Sequence, residues 1–351
     1  MSFEEEYGHL HRNQKWLVKE LIARGIKVTI LDSEAGIIRA SYKKHDELIL
    51  DRDSSIMPYA VSVLAGNKMI TKRYLQDYKT SVPIGCAFYA DEEEFIKEAF
   101  RMFGTGVVIK PTFGSYGHDV YIDLRTEEEV SEALRQIKEH RGNTEILIEE
   151  YFDAPEYRIF ITREGKYAVL NREPAYVIGN GINTISELIE LENKNREDIT
   201  KTAMCTLVID EEAQRYMRNH NISFDYIPKE NEKVRLRYNS NVATGGVSVD
   251  YTDLVHPTVI KNCLKVFQAF PGLPYAGIDY MSKDITKEQR DVDYRIIEVN
   301  TNPGANMHML PGYGESRNIS EAIADMIYPE TREENKEGIS KIKIYKKMEY
   351  K

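Results

Sequence analysis

The chain has 351 residues, of which 42% are hydrophobic and 30% are charged, a globular composition with room for one large domain or two to three modest ones. Its 47 lysines and arginines stand against 57 aspartates and glutamates. The resulting net charge of −10 argues against general binding to nucleic acids or anionic membranes, since both require a basic face. No apolar run approaches the roughly 20 residues that span a bilayer, and the acidic start MSFEEEYGHLHRNQ is not the pattern of a signal peptide.

The three cysteines, Cys86, Cys205 and Cys263, are odd in number and widely separated. This spacing favours buried free thiols in a reducing compartment over a disulfide framework. No sequence context typical of a catalytic cysteine surrounds any of them. We therefore expect a cytoplasmic protein with no nucleic-acid or membrane partner.

The first 66 residues alternate helical and strand patterns. Apolar spacing predicts an amphipathic helix over 14–24, ended by Gly25, and then strands at IKVTIL, GIIRASY and DELILD. These elements predict a small N-terminal α/β domain over residues 1–66.

Residues 67–150 repeat this alternation. Helices are predicted over 68–78, 92–103 and 127–139, and a hairpin of GVVIKP and VYIDL surrounds the glycine-bearing tip FGSYGHD. The apolar strand EILIEEYF closes the segment.

Residues 151–329 begin with a predicted strand pair, RIFIT and KYAVLNREP, and then alternate helices with strands. The pattern predicts helices over 182–195, 256–270 and 319–326, a small helix and turn within 210–228, and a strand followed by a Gly-Gly loop in VRLRYNSNVATGGVSVDYTD. Two strands, YAGIDYM and RIIEVN, flank the polar turn DITKEQRDVD. The tail over 330–351 is charged, with a strand pattern in ISKIKIY.

Oxygen-bearing side chains stand on both of the last predicted strands. Glu298 and Asn300 are two apart and so share one face of their strand, and a hairpin would place Asp279 opposite them. Carboxylate and amide oxygens suit Mg²⁺ rather than zinc or copper. The same pattern is also typical of a solvent-facing polar edge of an antiparallel sheet.

Lys110 ends an apolar strand and is followed by a loop with glycines at positions 114 and 117. Such a loop can turn backbone N–H groups toward an anion, which predicts a phosphate-binding flap beside a lysine. The Walker pattern GxxxxGK[ST] is absent, and taken alone the pattern favours a plain hairpin with a lysine reaching solvent.

The strand EILIEEYF ends in two acids and two aromatic residues, and Glu156 and Arg158 follow closely. Main-chain groups at such a strand end can pair with an adenine edge, and a carboxylate can accept the ribose hydroxyls. A strand leading into a charged turn is the alternative.

The order of these features along the chain is more informative than any one of them. Lys68, Lys110 with its glycine loop, the acids from Glu149 to Glu156, and then Asp279 with Glu298 and Asn300 follow one another in an order that resembles the ATP-grasp superfamily. The likeness is greatest to the ATP-grasp parts of bifunctional glutathione synthetases and cyanophycin synthetases. It extends over residues 14–329, with REPAYVIGNGINTI and SNVATGGVSVDYTD the most specific stretches and IEVNTNPG shared by the wider superfamily.

The resemblance implies an ATP-grasp fold of mixed α+β and α/β character, in which two α+β lobes sandwich ATP and a small N-terminal α/β domain precedes them. The ATP-grasp domain is expected over 67–329, with the lobe that covers ATP in 67–150 and the metal and substrate lobe in 151–329. In such ligases a carboxylate attacks the γ-phosphate to give an acyl phosphate and ADP, and an amine then displaces phosphate.

The resemblance also implies a set of nucleotide ligands. Lys68 and Lys110 would hold the ATP phosphates, and Glu156 would hold the ribose. The loop that closes over the phosphates and the hinge that holds adenine would comprise Gly114, Ser115, Tyr116 and Gly117, and Glu149, Glu150, Tyr151 and Phe152.

Asp279, Glu298 and Asn300 would bind Mg²⁺, with two ions expected and Mn²⁺ able to substitute. Transfer from ATP requires neutralised charge, and the second step requires a donor aimed at the oxygen of the tetrahedral intermediate. Arg237 is the candidate for that donor. Arg158 and Arg172 are further carboxylate or phosphate binders because their planar guanidinium groups suit bidentate anions.

The sequence departs from these relatives in places that bear on the substrate. Tyr238 stands where a second arginine is usual, and the segment ENKNREDITKTAM is short and lacks an Arg-Gly pattern. The sequence shows no γ-glutamylcysteine ligase domain upstream of the ATP-grasp region and no Mur-ligase-like domain downstream of it, so a stand-alone ligase module is expected.

The favoured interpretation is an ADP-forming ligase that joins amino acids or small γ-glutamyl-type peptides, with glutathione synthetase as a special case. The alternatives are a ligase that tailors peptides in specialised metabolism, an ATP-grasp kinase that phosphorylates a hydroxyl, and a non-catalytic nucleotide-binding module. Partners would be small molecules, and analogy alone suggests a homodimer or tetramer.

Overall fold

The computed structural model describes residues 2–114, 118–197, 202–332 and 339–342. Ser115, Tyr116 and Gly117 of the predicted flap lie outside these ranges, as do residues 198–201 of the short segment and most of the charged tail. Within the described ranges, no helix is both long enough and apolar enough to cross a bilayer.

The strands of the described residues form antiparallel sheets. They are β1 (Lys27–Asp32), β2 (Ile37–Tyr42), β3 (His45–Leu50), β4 (Gly85–Tyr89), β5 (Val107–Pro111), β6 (Tyr121–Leu124), β7 (Glu145–Glu150), β8 (Glu156–Thr162), β9 (Tyr167–Glu173), β10 (Tyr176–Ile178), β11 (Lys233–Arg235), β12 (Val247–Asp250), β13 (Tyr275–Ser282), β14 (Tyr294–Asn300), β15 (Ser316–Arg317) and β16 (Lys341–Ile342).

The helices of the described residues pack around these sheets. They are α1 (Phe3–Tyr7), α2 (Arg12–Ala23), α3 (Tyr59–Gly66), α4 (Lys68–Asp77), α5 (Glu93–Phe103), α6 (Glu127–Arg141), α7 (Ile185–Asn195), α8 (Glu211–Asn219), α9 (Pro257–Leu264), α10 (Val266–Ala269), α11 (Asn306–Met309) and α12 (Ile319–Ile327), with 3₁₀ turns at Val242–Thr244 and Pro329–Thr331.

Most predicted elements are present with bounds shifted by a few residues. The single helix predicted over 256–270 is wrong, because the chain forms two helices that meet at Lys265. The prediction of three buried thiols is also wrong: Cys263 is buried, Cys86 is half-buried and Cys205 is exposed, and all three are free. Helix α3 and strands β4 and β10 were not predicted.

The sheet β1-β2-β3 and the five-stranded sheet β12-β9-β8-β13-β14, here called the main sheet, share one hydrophobic core. Helix α2 buries Leu17 and Leu21 because their four-residue spacing puts both on one face. The helix ends before Gly25, whose φ of +75° is a left-handed conformation that glycine adopts without strain. The N-terminal sheet and the main sheet therefore belong to one core, in which α2 packs against β1 and α12, and α12 packs against β8.

A buried ion-pair cluster fixes this packing. Asp325 of α12 accepts hydrogen bonds from Arg24 Nη1 at 2.7 Å and from Lys166 Nζ at 2.8 Å. Burial raises the pKa of Asp325, but the hydrogen bonds from Lys166 and Arg24 outweigh burial and hold the pKa below its usual value.

We expect Asp325→Asn to lower the free energy of unfolding at pH 7 by about 3 kcal/mol, because it leaves two partly buried cations without their shared carboxylate. A carboxyl whose folded pKa is depressed stabilises the fold above its unfolded pKa of about 3.9, and this stability is lost as the pH falls through the folded pKa. The difference between wild type and variant in urea unfolding should therefore shrink below about pH 4. Asp46→Asn, which removes an exposed ion pair with Arg39, is the control and should change little. A difference between Asp325→Asn and wild type that persists to low pH would contradict this account.

The sheet β4-β7-β5-β6 with α5 and α6 forms a separate unit, here called the four-stranded lobe (residues 85–150). Its own core includes Ile96, Ile109, Leu134 and Ile148. A third core, here called the small lobe (residues 175–238), is built on β10, β11, α7 and α8.

The register of the main sheet determines which polar side chains meet. Arg158 of β8 pairs with Asp279 of β13, and Asp279 pairs with Glu298 of β14. On the other side of β8, Glu156 pairs with Arg172 of β9. Directly paired residues of antiparallel strands project from the same face, so all five side chains share one face of the main sheet.

Candidate active site

The structure places the three predicted metal ligands side by side. Asp279 and Glu298 are direct cross-strand partners, and Asn300 pairs with Gly277, to whose carbonyl its Nδ2 donates at 3.3 Å. The geometry that the sequence predicted for these two strands is thus present. Asp279 is buried, whereas Glu298 and Asn300 are half-buried on β14, the edge strand of the main sheet.

Both oxygens of Asp279 are bound by arginines. Arg158 donates through Nε to Oδ1 at 2.5 Å and through Nη2 to Oδ2 at 3.2 Å, and Arg172 Nη2 donates to Oδ2 at 2.9 Å. Burial raises the pKa of Asp279, but the two guanidinium groups outweigh burial and keep the pKa below its usual value. The two arginines therefore hold this carboxylate in its ionised form.

Glu156, the predicted ribose ligand, joins the same network. One of its oxygens accepts from Arg172 Nη2 and the other from the hydroxyl of Ser240. Ser240 belongs to the loop before β12 and was not predicted. It anchors that loop to the edge of the arginine cluster.

Gly277 leaves the space that Pro303 occupies, with the Arg158 guanidinium in ordinary contact beside it. A Cβ atom at position 277 would lie 2.8 Å from Pro303 Cβ and 3.4 Å from Arg158 Nη1. Nη1 donates to no acceptor among the described residues, whereas Nε and Nη2 are used by Asp279. Arg158 therefore keeps one pair of N–H groups for an anion.

The predicted phosphate-binding lysines lie at the junction of the four-stranded lobe and the main sheet. Lys68, at the start of α4, donates to the carbonyl of Gly114 at 2.7 Å and lies 3.8 Å from Glu298 Oε1. Burial lowers the pKa of Lys68, and the carboxylate of Glu298 opposes this. Lys110 is buried rather than extended into solvent, and its ammonium is paired with Glu149 Oε1.

Lys72 is a third lysine of this junction that the sequence interpretation missed. Its Nζ lies 3.2 Å from Glu149 Oε2 and donates to the carbonyl of Ile297 at 2.9 Å. Burial lowers the pKa of Lys72 to about 8, although Glu149 opposes the shift. The four-residue spacing from Lys68 in NKMITKRYL places both lysines on one face of α4 and could have indicated this role.

The predicted adenine hinge divides at Glu149. The side chain of Glu149 is enclosed by Lys72 and Lys110, and its main chain lies inside the sheet between β4 and β5. Burial raises the pKa of Glu149, but Lys110 and Lys72 outweigh burial and lower the pKa. Glu149 thus serves the lysines, and a nucleotide base would have to pair with residues beyond it.

The hinge leaves the sheet after Glu150, the last residue of β7. Glu150 accepts a hydrogen bond from Arg295 Nε at 2.8 Å, and the Arg295 guanidinium lies 4.7 Å from the ring centre of Phe152. Tyr151 donates its main-chain N–H to Gly106 at 2.9 Å. Tyr151 and Phe152 are half-buried, so this strand end is accessible.

A pocket of about 340 Å³ adjoins the lysine junction through Lys72. None of the predicted site residues lines it. Its lining consists of Met69, Lys72, Arg73, Gln76, Pro83 and Gly85.

Arg237, predicted to stabilise the tetrahedral intermediate, is not part of the Asp279 cluster. It is fully buried, and its guanidinium donates to Asp210 Oδ2 at 2.8 Å, to Glu212 Oε2 and to two main-chain carbonyls. Glu212 in turn accepts the main-chain N–H groups of Tyr238 and Asn239, each at 3.0 Å. In this arrangement Arg237 holds the loop that follows it.

We expect Arg237→Met to lower the free energy of unfolding by about 3 kcal/mol, because two carboxylates lose their cation. Chemical denaturation measures the change. Arg235→Met is the comparison, since Arg235 donates to the carbonyls of Arg237 and Tyr238 and pairs with no carboxylate in the described structure. Wild-type stability in Arg237→Met, together with lost turnover, would instead favour a direct catalytic role.

Tyr238, at the position where the resemblance implies a second arginine, is a core residue of the small lobe. Its ring packs edge-on against Tyr216 at 4.8 Å, and the Arg215 guanidinium lies 4.8 Å from its centre. Tyr238 therefore contributes apolar packing at this position.

The predicted metal ligands differ from a ready-made cluster of acidic side chains. Among the described residues, no group of three or more His, Cys, Asp or Glu side chains is arranged to hold a metal ion. The predicted set has two carboxylates and an amide, all hard oxygen donors, and Glu298 is held by no contact closer than Lys68. Such a set fits Mg²⁺ that is completed by water and phosphate oxygens, as is usual for this ion.

A solved structure shares this architecture. A bifunctional glutathione synthetase from Pasteurella multocida aligns with a TM-score of 0.66 at 28% identity, over 92% of this chain and 44% of that chain. The chain has the ATP-grasp fold, which confirms the fold class predicted from the sequence. No protein-family model matches the sequence.

The chain is also homologous to two groups of curated proteins. It is 33% identical over 328 residues to the glutathione biosynthesis bifunctional protein of Clostridium perfringens, covering 92% of this chain and 42% of the relative. It is likewise 33% identical over 317 residues to cyanophycin synthetase of Synechocystis, covering 89% of this chain and 36% of the relative. The chain thus spans less than half the length of the curated relatives it matches. These relatives confirm the predicted resemblance to ATP-grasp ligases.

Proposed function

We propose that this chain catalyses ATP-dependent formation of an amide bond between the carboxylate of an amino acid or small γ-glutamyl-type peptide and an amine, with release of ADP and phosphate. The observation that supports this most directly is the juxtaposition of Lys68 with Glu298, and of Glu298 with Asp279. Cations for a polyphosphate and oxygen donors for its metal ion meet on one face of the main sheet. The homology to amide-forming ligases supports the same reaction.

The residues of the junction have separate tasks in this proposal. Lys68 and Lys110 bind phosphate oxygens, and Gly114, whose carbonyl contacts Lys68, begins the loop that covers them. Glu150, Tyr151 and Phe152 border the base, and Glu156 faces the ribose. Mg²⁺ bound by Asp279, Glu298 and Asn300 would supply neutralisation of the triphosphate charge.

Arg158 is the stronger candidate for the substrate anion in the described arrangement. Its Nη1 lies over Gly277 and is not used by Asp279, so it can donate to a carboxylate or to the oxygen of a tetrahedral intermediate. Arg172 holds Asp279 and Glu156 in place. Arg237 would act on the second step only after giving up contacts that it makes to Asp210 and Glu212.

Further details of the proposal follow from the same site chemistry. The proposal includes two Mg²⁺ ions. Mn²⁺ can substitute for them, because Mn²⁺ and Mg²⁺ both prefer oxygen ligands. The substrates are small molecules, the location is the cytoplasm, and the assembly is a homo-oligomer. The three free thiols support the location.

The experiment is a screen for ADP release over pairs of amino acids and small γ-glutamyl peptides, with mass spectrometry of the products. ADP release that depends on the amine, together with a condensed product, supports the ligase. ADP release with a phosphorylated product and no amine dependence would identify a kinase. Absence of nucleotide binding by the wild-type chain would overturn the proposal.

A further inference from the structure

Lys72 has a buried ammonium group that the proposed reaction does not use. It is 3% exposed and projects from α4 into the junction between the main sheet and the four-stranded lobe. There it contacts Glu149, which is 2% exposed. A buried ammonium group is stable only beside an opposite charge, and here that charge, Glu149, belongs to the four-stranded lobe.

Each oxygen of Glu149 has its own lysine. Oε1 accepts a hydrogen bond from Lys110 of β5, whereas Oε2 forms an ion pair with Lys72 at 3.2 Å without hydrogen-bond geometry. Lys72 Nζ has a second acceptor in the carbonyl of Ile297, whereas Lys110 Nζ has Glu149 as its one acceptor among the described residues. Lys72 is therefore fixed on two sides, while Lys110 can turn away by giving up a single partner.

Lys110 cannot serve a phosphate and remain wholly committed to Glu149. If Lys110 turned away from a carboxylate with no other cation, a buried charge would be left uncompensated, and the exchange would be strongly unfavourable. Lys72 removes that obstacle because it stays on Oε2. With a pKa of about 8, which lies above neutrality, Lys72 keeps its proton at pH 7.

We propose that Lys72 is a positioning residue that keeps Glu149 paired and thereby releases Lys110 to bind a nucleotide phosphate. This inference rests on the proposed function, since it takes the anion at Lys110 to be a nucleotide. Lys72 itself does not contact the nucleotide. It acts on nucleotide affinity through Glu149 alone.

The test is a double-mutant cycle on nucleotide binding, with ADP and MgATP as probes and calorimetry as the measurement. Lys72→Met keeps the length of the side chain and removes its charge, and we expect it to weaken nucleotide binding about tenfold or more, since Glu149 then retains Lys110. Glu149→Gln removes the competing carboxylate. The double variant Lys72→Met/Glu149→Gln should therefore bind nucleotide within about threefold of Glu149→Gln alone.

This rescue separates positioning from a merely structural role, because loss of packing at Lys72 would not be repaired by a change at Glu149. Lys166→Met is the matched control: Lys166 also pairs with a buried carboxylate, but it lies at Asp325, away from the junction. It should leave nucleotide affinity unchanged. Lys72→Arg, which keeps the charge, should bind more tightly than Lys72→Met.

Two results would overturn the inference. One is Lys72→Met with wild-type affinity, and the other is a double variant that binds as weakly as Lys72→Met. Should Lys72→Met fail to fold, the comparison of Glu149→Gln with the double variant decides, since equal affinity is expected and a weaker double variant contradicts the proposal. If the wild-type chain itself binds no nucleotide, the proposed function is refuted, and this result is distinct from the two outcomes above.

Discussion

Replacing Glu298 with alanine is expected to lower turnover by about three orders of magnitude or more, because in the proposed site the Mg²⁺ that neutralises the triphosphate loses a protein ligand worth several kcal/mol. The same variant should change the free energy of unfolding by less than about 1 kcal/mol. Glu298 is 28% exposed, and its nearest cation, Lys68, lies 3.8 Å away, so the fold gains little from it. ADP release under single-turnover conditions and urea denaturation measure the two effects.

Glu93→Ala provides the control for this prediction. Glu93 has a similar exposure of 32% and an ion pair with Lys97, but it lies on α5 of the four-stranded lobe. It should leave turnover unchanged. Turnover near wild type in Glu298→Ala would disprove the assignment of this residue to the metal.

Asp279→Ala is expected to behave differently, with lost turnover and a free energy of unfolding lower by about 3–5 kcal/mol. The substitution leaves the partly buried guanidinium of Arg158 without its bidentate partner and removes one partner of the buried Arg172. Burying unpaired charge is costly, so the fold itself suffers. Urea denaturation at neutral pH should show a lower midpoint with an unchanged slope.

Asp279→Asn and Arg158→Met test the origin of this effect. The amide keeps the shape of Asp279 and one acceptor oxygen, so its cost should lie between those of wild type and alanine. In the Arg158→Met background, Asp279→Ala should cost less than in wild type, since the guanidinium to be paired is gone. A stability change for Asp279→Ala as small as that of Glu298→Ala would show that the arginine pairing contributes nothing to the fold.

Local patterns were sufficient to predict one part of the site. The two-residue repeat put Glu298 and Asn300 on one face, and a short polar turn required their strand to pair with the strand of Asp279. Helix ends could be predicted equally well, because Gly25 and Gly104 adopt positive φ angles that favour glycine at such ends. These features depend on neighbours in sequence.

The partners of Asp279 could not be predicted in the same way. Arg158 and Arg172 reach it only because the strand order is β9-β8-β13, which places side chains from residues more than 100 positions apart in contact. Strand order is set by the packing of the whole chain, and residue spacing does not reveal it. The roles of these arginines had to come from resemblance.

The lysine junction shows a second limit. Lys110 ends the apolar run VVIKP, which is compatible with a lysine in solvent, and Glu149 follows the apolar run EILI, which is compatible with a surface acid. The register of β5 against β7 instead buries both. Two charges that each look exposed in sequence become a buried pair in space, and Lys72 completes the group from a separate helix.

The separation of the cores has a calorimetric consequence. In the described residues, the four-stranded lobe contacts the main sheet and α4 through charges such as Arg295 with Glu150 and Lys72 with Glu149. Most of its apolar side chains pack in its own core, and Ile122 packs against the core of the small lobe. Exposure of apolar surface to water is the main source of heat-capacity change. A rigid displacement of this lobe would therefore give a small heat-capacity change, whereas unfolding would give a large one. If nucleotide binding repositions the lobe, calorimetry should thus show the effect chiefly in the binding enthalpy, and the affinity should depend on the salt concentration.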